Sequence, residues 1–269
     1  MRRAWWLAGA PLVAALAWMA LRPSAPVARA PVAEAVPAHA PAAHHAPEVP
    51  TESAPERVLP APAPKDEEAL ARVRAAARDP SARGTELLAR SLEDEHDDMA
   101  RLEAIDALVE RRHIASLPRL LTLDPAAEPE LGPTIIAALG ALGREAPDAR
   151  TRDATLARLV ALLAAEKERR GADSAGNVVS IIEALGVLRH PGGAPVLERE
   201  LALPEHDAAN RTAIVQALGQ IGQRSSLVPI ERLRAVTTEA APADDEYTRA
   251  LEAELVVAID EAKRAIGAP

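Results

Sequence analysis

Beyond residue 64 the apolar positions recur every three or four residues, the spacing of one face of an α-helix. Leu102, Ile105 and Val109 make one such stripe, and Ile214, Leu218 and Ile221 make another. Strand-like alternation is almost absent. The stripes return in a fixed order. Ala104 to Leu108 reads Ala-Ile-Asp-Ala-Leu, and Ile135 to Gly143 reads Ile-Ile-Ala-Ala-Leu-Gly-Ala-Leu-Gly. Ile181 to Leu188 reads Ile-Ile-Glu-Ala-Leu-Gly-Val-Leu, and Ile214 to Gly222 reads Ile-Val-Gln-Ala-Leu-Gly-Gln-Ile-Gly. After a break, each is followed by a second apolar phrase: Leu117–Leu121, Leu156–Leu163, Ala194–Leu201 and Val228–Leu233. The pattern predicts helices in pairs. The leucines at 108, 139, 185 and 218 stand 31, 46 and 33 residues apart.

Breakers fall where such pairs need them. Pro118, Pro195 and Pro229 lie near the starts of second helices, where a missing N–H costs nothing. Gly140, Gly143, Gly186, Gly219 and Gly222 lie toward the ends of first helices. The last glycine of a group is expected to take the left-handed conformation that stops a helix, and the inner one to permit close approach. Asp66–Leu92 reads as a degenerate first repeat broken at Asp79-Pro80, and Asp244–Ile266 as one long final helix. The stripe of that helix is Tyr247, Leu251, Leu255, Ile259, Ala262 and Ile266. Arg144–Arg150 reads as a loop longer than its sisters.

The phrase Ala-Leu-Gly-x-Leu-Gly, followed about ten residues later by x-Pro-x-Leu, resembles HEAT repeats, in particular the short HEAT-like type also found in phycobilisome lyases. The resemblance covers roughly Asp66–Ile266, and Asn210–Leu233 is the best copy. It implies an all-α fold for residues 65–269: a right-handed α-solenoid of about five HEAT-like helix pairs plus a C-terminal capping helix. One pair cannot bury its own stripe, so stacking is obligatory.

The first 64 residues differ in kind. Ala4–Leu21 is free of charge between Arg2-Arg3 and Arg22, with Trp5, Trp6 and Trp18 near its ends. This run predicts a transmembrane signal-anchor over residues 1–22, with a cleavable signal peptide as the alternative. The anchor reading places the protein in the inner membrane, single-pass with its N-terminus inside and the solenoid in the periplasm. Cleavage would instead give a secreted or periplasmic protein. Residues 23–64 are rich in Pro and Ala and contain no Gly, which predicts a disordered tether with extended polyproline character. Such a tether serves as a spacer or as a ligand for a proline-recognition domain. His39, His44 and His45 within it have no fixed geometry for a metal. Lysine occurs only at 65, 167 and 263, a usage that suggests GC-rich coding and a bacterial envelope.

Composition narrows the chemistry. The chain is 48% hydrophobic but 1% aromatic, so its core is built from Ala, Leu, Ile and Val. There is no Cys, which excludes disulfides, thiolate metal sites, Cys nucleophiles and lipidated Cys. A net charge of −9 disfavours nucleic-acid binding. Glu93–Asp98 is the densest charge run and reads as the cap of the following helix. His113, His190 and His206 read as surface histidines in loops between helices. No nucleophile stands with a base, no metal-ligand spacing occurs, and no cofactor is implied. An enzyme is not expected.

The polar positions of the second helices remain: Arg119, Arg158, Glu198, Arg199, Glu231, Arg232 and Arg234. They are candidate anchors for a protein partner, since second helices usually line the concave side of such a solenoid, or else an ordinary solvated face. The expected function is a membrane-anchored scaffold or adaptor for protein–protein interaction in the cell envelope. The alternatives are a bilin lyase-like HEAT protein and a self-associating structural envelope protein.

Overall fold

The repeated phrases fold as helices. The computed structural model describes residues 64–94, 97–169, 174–204, 206–239 and 245–267, which contain eleven α-helices and no strand. These are α1 (Pro64–Arg78), α2 (Ala82–Asp94), α3 (Asp98–Glu110), α4 (Leu117–Leu120), α5 (Gly132–Glu145), α6 (Ala149–Arg169), α7 (Ser174–Leu188), α8 (Ala194–Leu201), α9 (Ala208–Ile221), α10 (Leu227–Glu239) and α11 (Glu246–Gly267). Short 3₁₀ turns at Ile114–Ser116, Pro191–Gly193 and Arg224–Ser226 lead into α4, α8 and α10. The apolar run at Ala4–Leu21, the tether and its histidines lie outside the described residues.

Each odd-numbered helix packs on the next odd-numbered one, from α1 through α11. Each even-numbered helix rests on the odd-numbered helix that follows it, and the even-numbered helices approach one another far less. The core runs along the odd set: Leu108, Leu139, Leu185 and Leu218 are all fully buried. Burying one such side chain stabilises the fold by roughly 1.5–3 kcal/mol.

Small residues set the spacing of the odd set. A β-carbon placed at Gly140 would lie 2.8 Å from the Ala184 carbonyl oxygen, at Gly186 2.7 Å from Ala217 Cα, and at Gly219 3.0 Å from Ala262 Cα. Each of α7 and α9 therefore turns an alanine toward the preceding odd helix and, two residues on, a glycine toward the following one. In α11 the alanine is Ala262, and two residues on stands the exposed Arg264. In α3 the corresponding place is held by Val109.

Helix ends follow local chemistry. Asp97 accepts from the Met99 N–H and Asp207 from the Asn210 N–H, so the expected capping by the acidic run is seen at Asp97. Gly222 closes α9 at φ 75°, as expected. Gly143 does not close α5. It is buried inside that helix against α6, where a β-carbon would lie 2.6 Å from Thr155 Cγ2. Arginines instead take the left-handed position after α3 and α7, Arg112 at φ 52° and Arg189 at φ 53°. The Arg112 and His113 N–H groups donate back to Val109 and Leu108, which satisfies the orphan carbonyls at that helix end.

Three further expectations are corrected. Arg144–Arg150 is not a long loop: α5 runs to Glu145 and α6 begins at Ala149. The extra length lies in α6, which has 21 residues where α8 has 8. Tyr247 does not join the buried stripe of α11 and is 69% exposed; it stands about two turns before Leu255, where the buried stripe begins. Inner-membrane placement is also overturned: among the described residues no helix is long and apolar enough to cross a membrane. The two longest, α6 and α11, carry charges throughout, including Arg150, Asp153, Arg158 and Glu168 in one and Arg249, Glu254, Asp260 and Arg264 in the other.

Gly186→Ala should lower stability by about 1–3 kcal/mol, because the added methyl meets backbone that must move. Gly222→Ala has open space around it and should lose only about 1 kcal/mol, through its left-handed backbone. Denaturant melts of the two variants check the order; equal losses would contradict the close helix contact.

Candidate functional site

The even-numbered helices carry most of the polar residues expected to meet a partner, and the structure shows what these side chains touch. Arg119 on α4 reaches back to α2, where it donates to the Ala89 carbonyl at 2.9 Å and pairs with Glu93 at 2.8 Å. Arg158 on α6 donates to the Leu123 carbonyl at 2.7 Å, and its Nε has no hydrogen-bond partner. Glu198 on α8 accepts from the buried Ser226 hydroxyl at 2.6 Å. Glu231 and Arg234 on α10 pair with Lys263 and Asp260 on α11. Five of the seven candidates thus bridge one helix pair to its neighbour. Arg199 and Arg232 are exposed, and among the described residues no ion pair holds either.

The bridging extends to residues that the sequence did not single out. Arg111, just after α3, donates to the carbonyls of Ala76, Ala77 and Asp79 and to the Thr85 hydroxyl, which pins the turn between α1 and α2. Lys167 on α6 pairs with Glu200 on α8 at 3.0 Å. Glu200 also faces His206, whose Nε2 lies 3.2 Å from its carboxylate. His206 is therefore a buried, partnered histidine and not a surface one. His190 Nε2 lies 2.9 Å from Asp153, while its Nδ1 accepts from the Gly192 N–H. That leaves Nε2 as the protonated nitrogen, fixed toward Asp153. His113 Nδ1 meets the Ser116 hydroxyl at 2.7 Å. These arrangements close turns between helices. Among the described residues, no group of three or more His, Asp or Glu is placed to hold a metal ion.

The exposed ridge of the odd-numbered helices is different. Asp106 and Glu183 both stand two residues before the buried leucine of their repeat, and Ala137 and Gln216 hold the same position in α5 and α9. Burial raises the carboxyl of Asp106 above its ordinary value, with Glu110 and Glu103 adding to the effect. Burial alone raises that of Glu183. Among the described residues neither makes an ion pair. Both residues are exposed, whereas the less accessible carboxylates are paired: Glu103 with Arg74, Glu128 with Arg101 and Glu166 with Arg169. A pattern of apolar stripes could not reveal this contrast, because it depends on which cations the fold brings near.

Comparison of the chain with models of known protein families found no match, and comparison with curated proteins found none either.

The Glu183 charge costs folding energy above its raised folded value, and costs nothing once the pH falls below the unfolded value. Glu183→Gln should therefore stabilise the protein at pH 7, by no more than about 1 kcal/mol at this half-exposed position. The gain should shrink as the pH falls through the carboxylate range and vanish near about pH 3. Thermal melts at a series of pH values read this directly; a gain that persists in acid would contradict it.

Proposed function

We propose that residues 65–269 form a HEAT-like helical-repeat scaffold that binds protein. The observation that carries this reading is the glycine-to-alanine contact, which recurs between α5 and α7, α7 and α9, and α9 and α11. The same element thus recognises its neighbour by the same means several times, as in proteins whose repeats contact only the next repeat. The polar ties support it: Arg119 to Ala89, Lys167 to Glu200 and Ser226 to Glu198 run 30, 33 and 28 residues apart, one repeat length. Repeats of this kind present an extended surface, which suits a macromolecular partner.

Two experiments test the proposal. Deletion of residues 182–214 removes one repeat in register, joining Ile181 to Val215 and leaving Gly140 to meet Ala217 in place of Ala184. The shortened chain should keep a helical circular dichroism spectrum and a cooperative melt. A deletion of residues 182–198, which joins Ile181 to Arg199 and breaks the register, should not. If both unfold alike, the repeat architecture fails. Chemical crosslinking of the tagged full chain in intact cells should then recover a stoichiometric protein partner; recovery of the chain alone would contradict the scaffold.

A further inference from the structure

We infer that the chain associates head to tail, the last helix of one copy seating its outer face in the groove between the first two helices of the next. The inference stands beside the scaffold reading and rests on the two ends of the series of helices.

Among the described helices, α3, α5, α7 and α9 each pack on an odd-numbered neighbour on both sides, whereas α1 and α11 have one such neighbour. At the first end the uncovered side is a groove. The short turn at 79–81 joins α1 to α2, so the two run antiparallel. They frame a cleft of about 560 Å³, with Ala76 and Leu87 in its apolar lining. Its charged lining is three arginines, Arg72, Arg83 and Arg90, and one acid, Asp79. Arg90 pairs with Glu86 on its own helix at 3.1 Å, and both side chains are more than half exposed, so this pair is weak and easily exchanged. At the other end, the buried stripe of α11 faces α9 and α10. It leaves Ala253, Glu254, Val257, Glu261 and Arg264 exposed on the opposite side. Among the described residues no ion pair holds Glu254, Glu261 or Arg264.

The two faces match position by position. Along α2 stand Arg90, Leu87 and Arg83, at intervals of three and four. Along α11 stand Glu254, Val257 and Glu261, again at intervals of three and four. With the two helices antiparallel, each glutamate meets an arginine and Val257 meets Leu87. The same alignment sets Ala253 opposite Ser91 and brings Arg264 to Asp79-Pro80, where the groove holds its one acid. Sliding α11 by one turn in one direction sets Glu261 on Leu87. Sliding it in the other sets Glu254 on Glu86 and Glu261 on Asp79. Only the first register pairs opposite charges throughout. It also covers Leu87 and Val257, which are 46% and 56% exposed in the single copy. Arg264 keeps the helices from the close approach seen at Gly219, so longer side chains carry this contact and salt weakens it. The two surfaces differ, so each added copy leaves one groove and one α11 free and the association continues.

The chain has no cysteine, so introduced ones report the contact directly. Full-length Leu87→Cys and Val257→Cys, carried on tags of different size and mixed at low salt with a short bismaleimide, should join to each other in preference to themselves. Leu87→Cys with Val228→Cys, an exposed position on α10, should not. Sedimentation velocity of the full chain measures the strength. Arg83→Glu with Arg90→Glu should weaken association at least about tenfold, and so should Glu254→Arg with Glu261→Arg. An equimolar mixture of these two variants should recover it, because each presents the complement of the other, and so should one chain carrying all four changes. Circular dichroism shows that each variant is folded. A chain that stays monomeric even at millimolar concentration, a link from position 87 to 257 no better than to 228, or charge reversals that the mixture does not rescue would each overturn the inference and leave the groove to another occupant. The scaffold reading fails separately: crosslinking in cells that recovers only further copies of this chain would support head-to-tail association and contradict that reading.

Discussion

The architecture depends on how closely two helix backbones come together at one glycine and one alanine. At Gly140 and Gly186 there is no room for a methyl group, and at Gly219 one would fit only if Ala262 gave way. Contacts this close fix register, because a shift of one residue brings a larger side chain to the crossing. They also fix length. From α1 to α9 the odd-numbered helices have 15, 13, 14, 15 and 14 residues. The even-numbered ones have 13, 4, 21, 8 and 13. Close packing holds the first set nearly constant, and the second is free to vary because long flexible side chains span its gaps.

The two sets are therefore held by different physics. Packing between the odd-numbered helices is apolar and short-ranged, and salt hardly affects it. The bridges of the even-numbered helices are ionic and partly exposed; each contributes little and weakens with ionic strength. Arg119, Arg158 and Lys167 act as adjustable spacers whose reach absorbs differences in helix length. The same division separates engaged charge from charge left without a partner. Ionic groups on the even side largely satisfy each other, whereas Asp106 and Glu183 on the other side do not.

Much of this was legible in the sequence, and its limits have a physical cause. Apolar spacing at 3 and 4 located the helices. Proline near second-helix starts was read correctly, since it depends only on neighbours in the chain. Gly140 and Gly219, the inner glycines of their groups, were read correctly as points of close approach, and Gly186, alone in its repeat, takes the same place. Gly143 did not take the stopping role expected of it, and Arg189, for which no role was read, takes the left-handed position after α7. Whether a glycine stops a helix or admits a neighbour is decided by Thr155, which comes from another helix. The long interval between Leu139 and Leu185 was visible, but not that it extends a helix rather than a loop. The second-helix arginines were read as anchors for a partner or as a solvated face. Their carbonyl and carboxylate partners lie one repeat away, where no local pattern reaches.

Arg264 has a consequence beyond its own helix. A surface that recognises the next copy of itself has no intrinsic reason to stop, and any end that still offers the glycine notch is open to another molecule of the same kind. In α11 the alanine that receives α9 is kept, and the notch that would admit a successor is filled by a guanidinium in water. A chain cut short before α11, by a protease or by premature termination, would end on Gly219 with its notch uncovered. The glycine-to-alanine series therefore ends at Arg264 among the described helices, and a fragment lacking α11 would be open to association through the same contact that orders the intact protein.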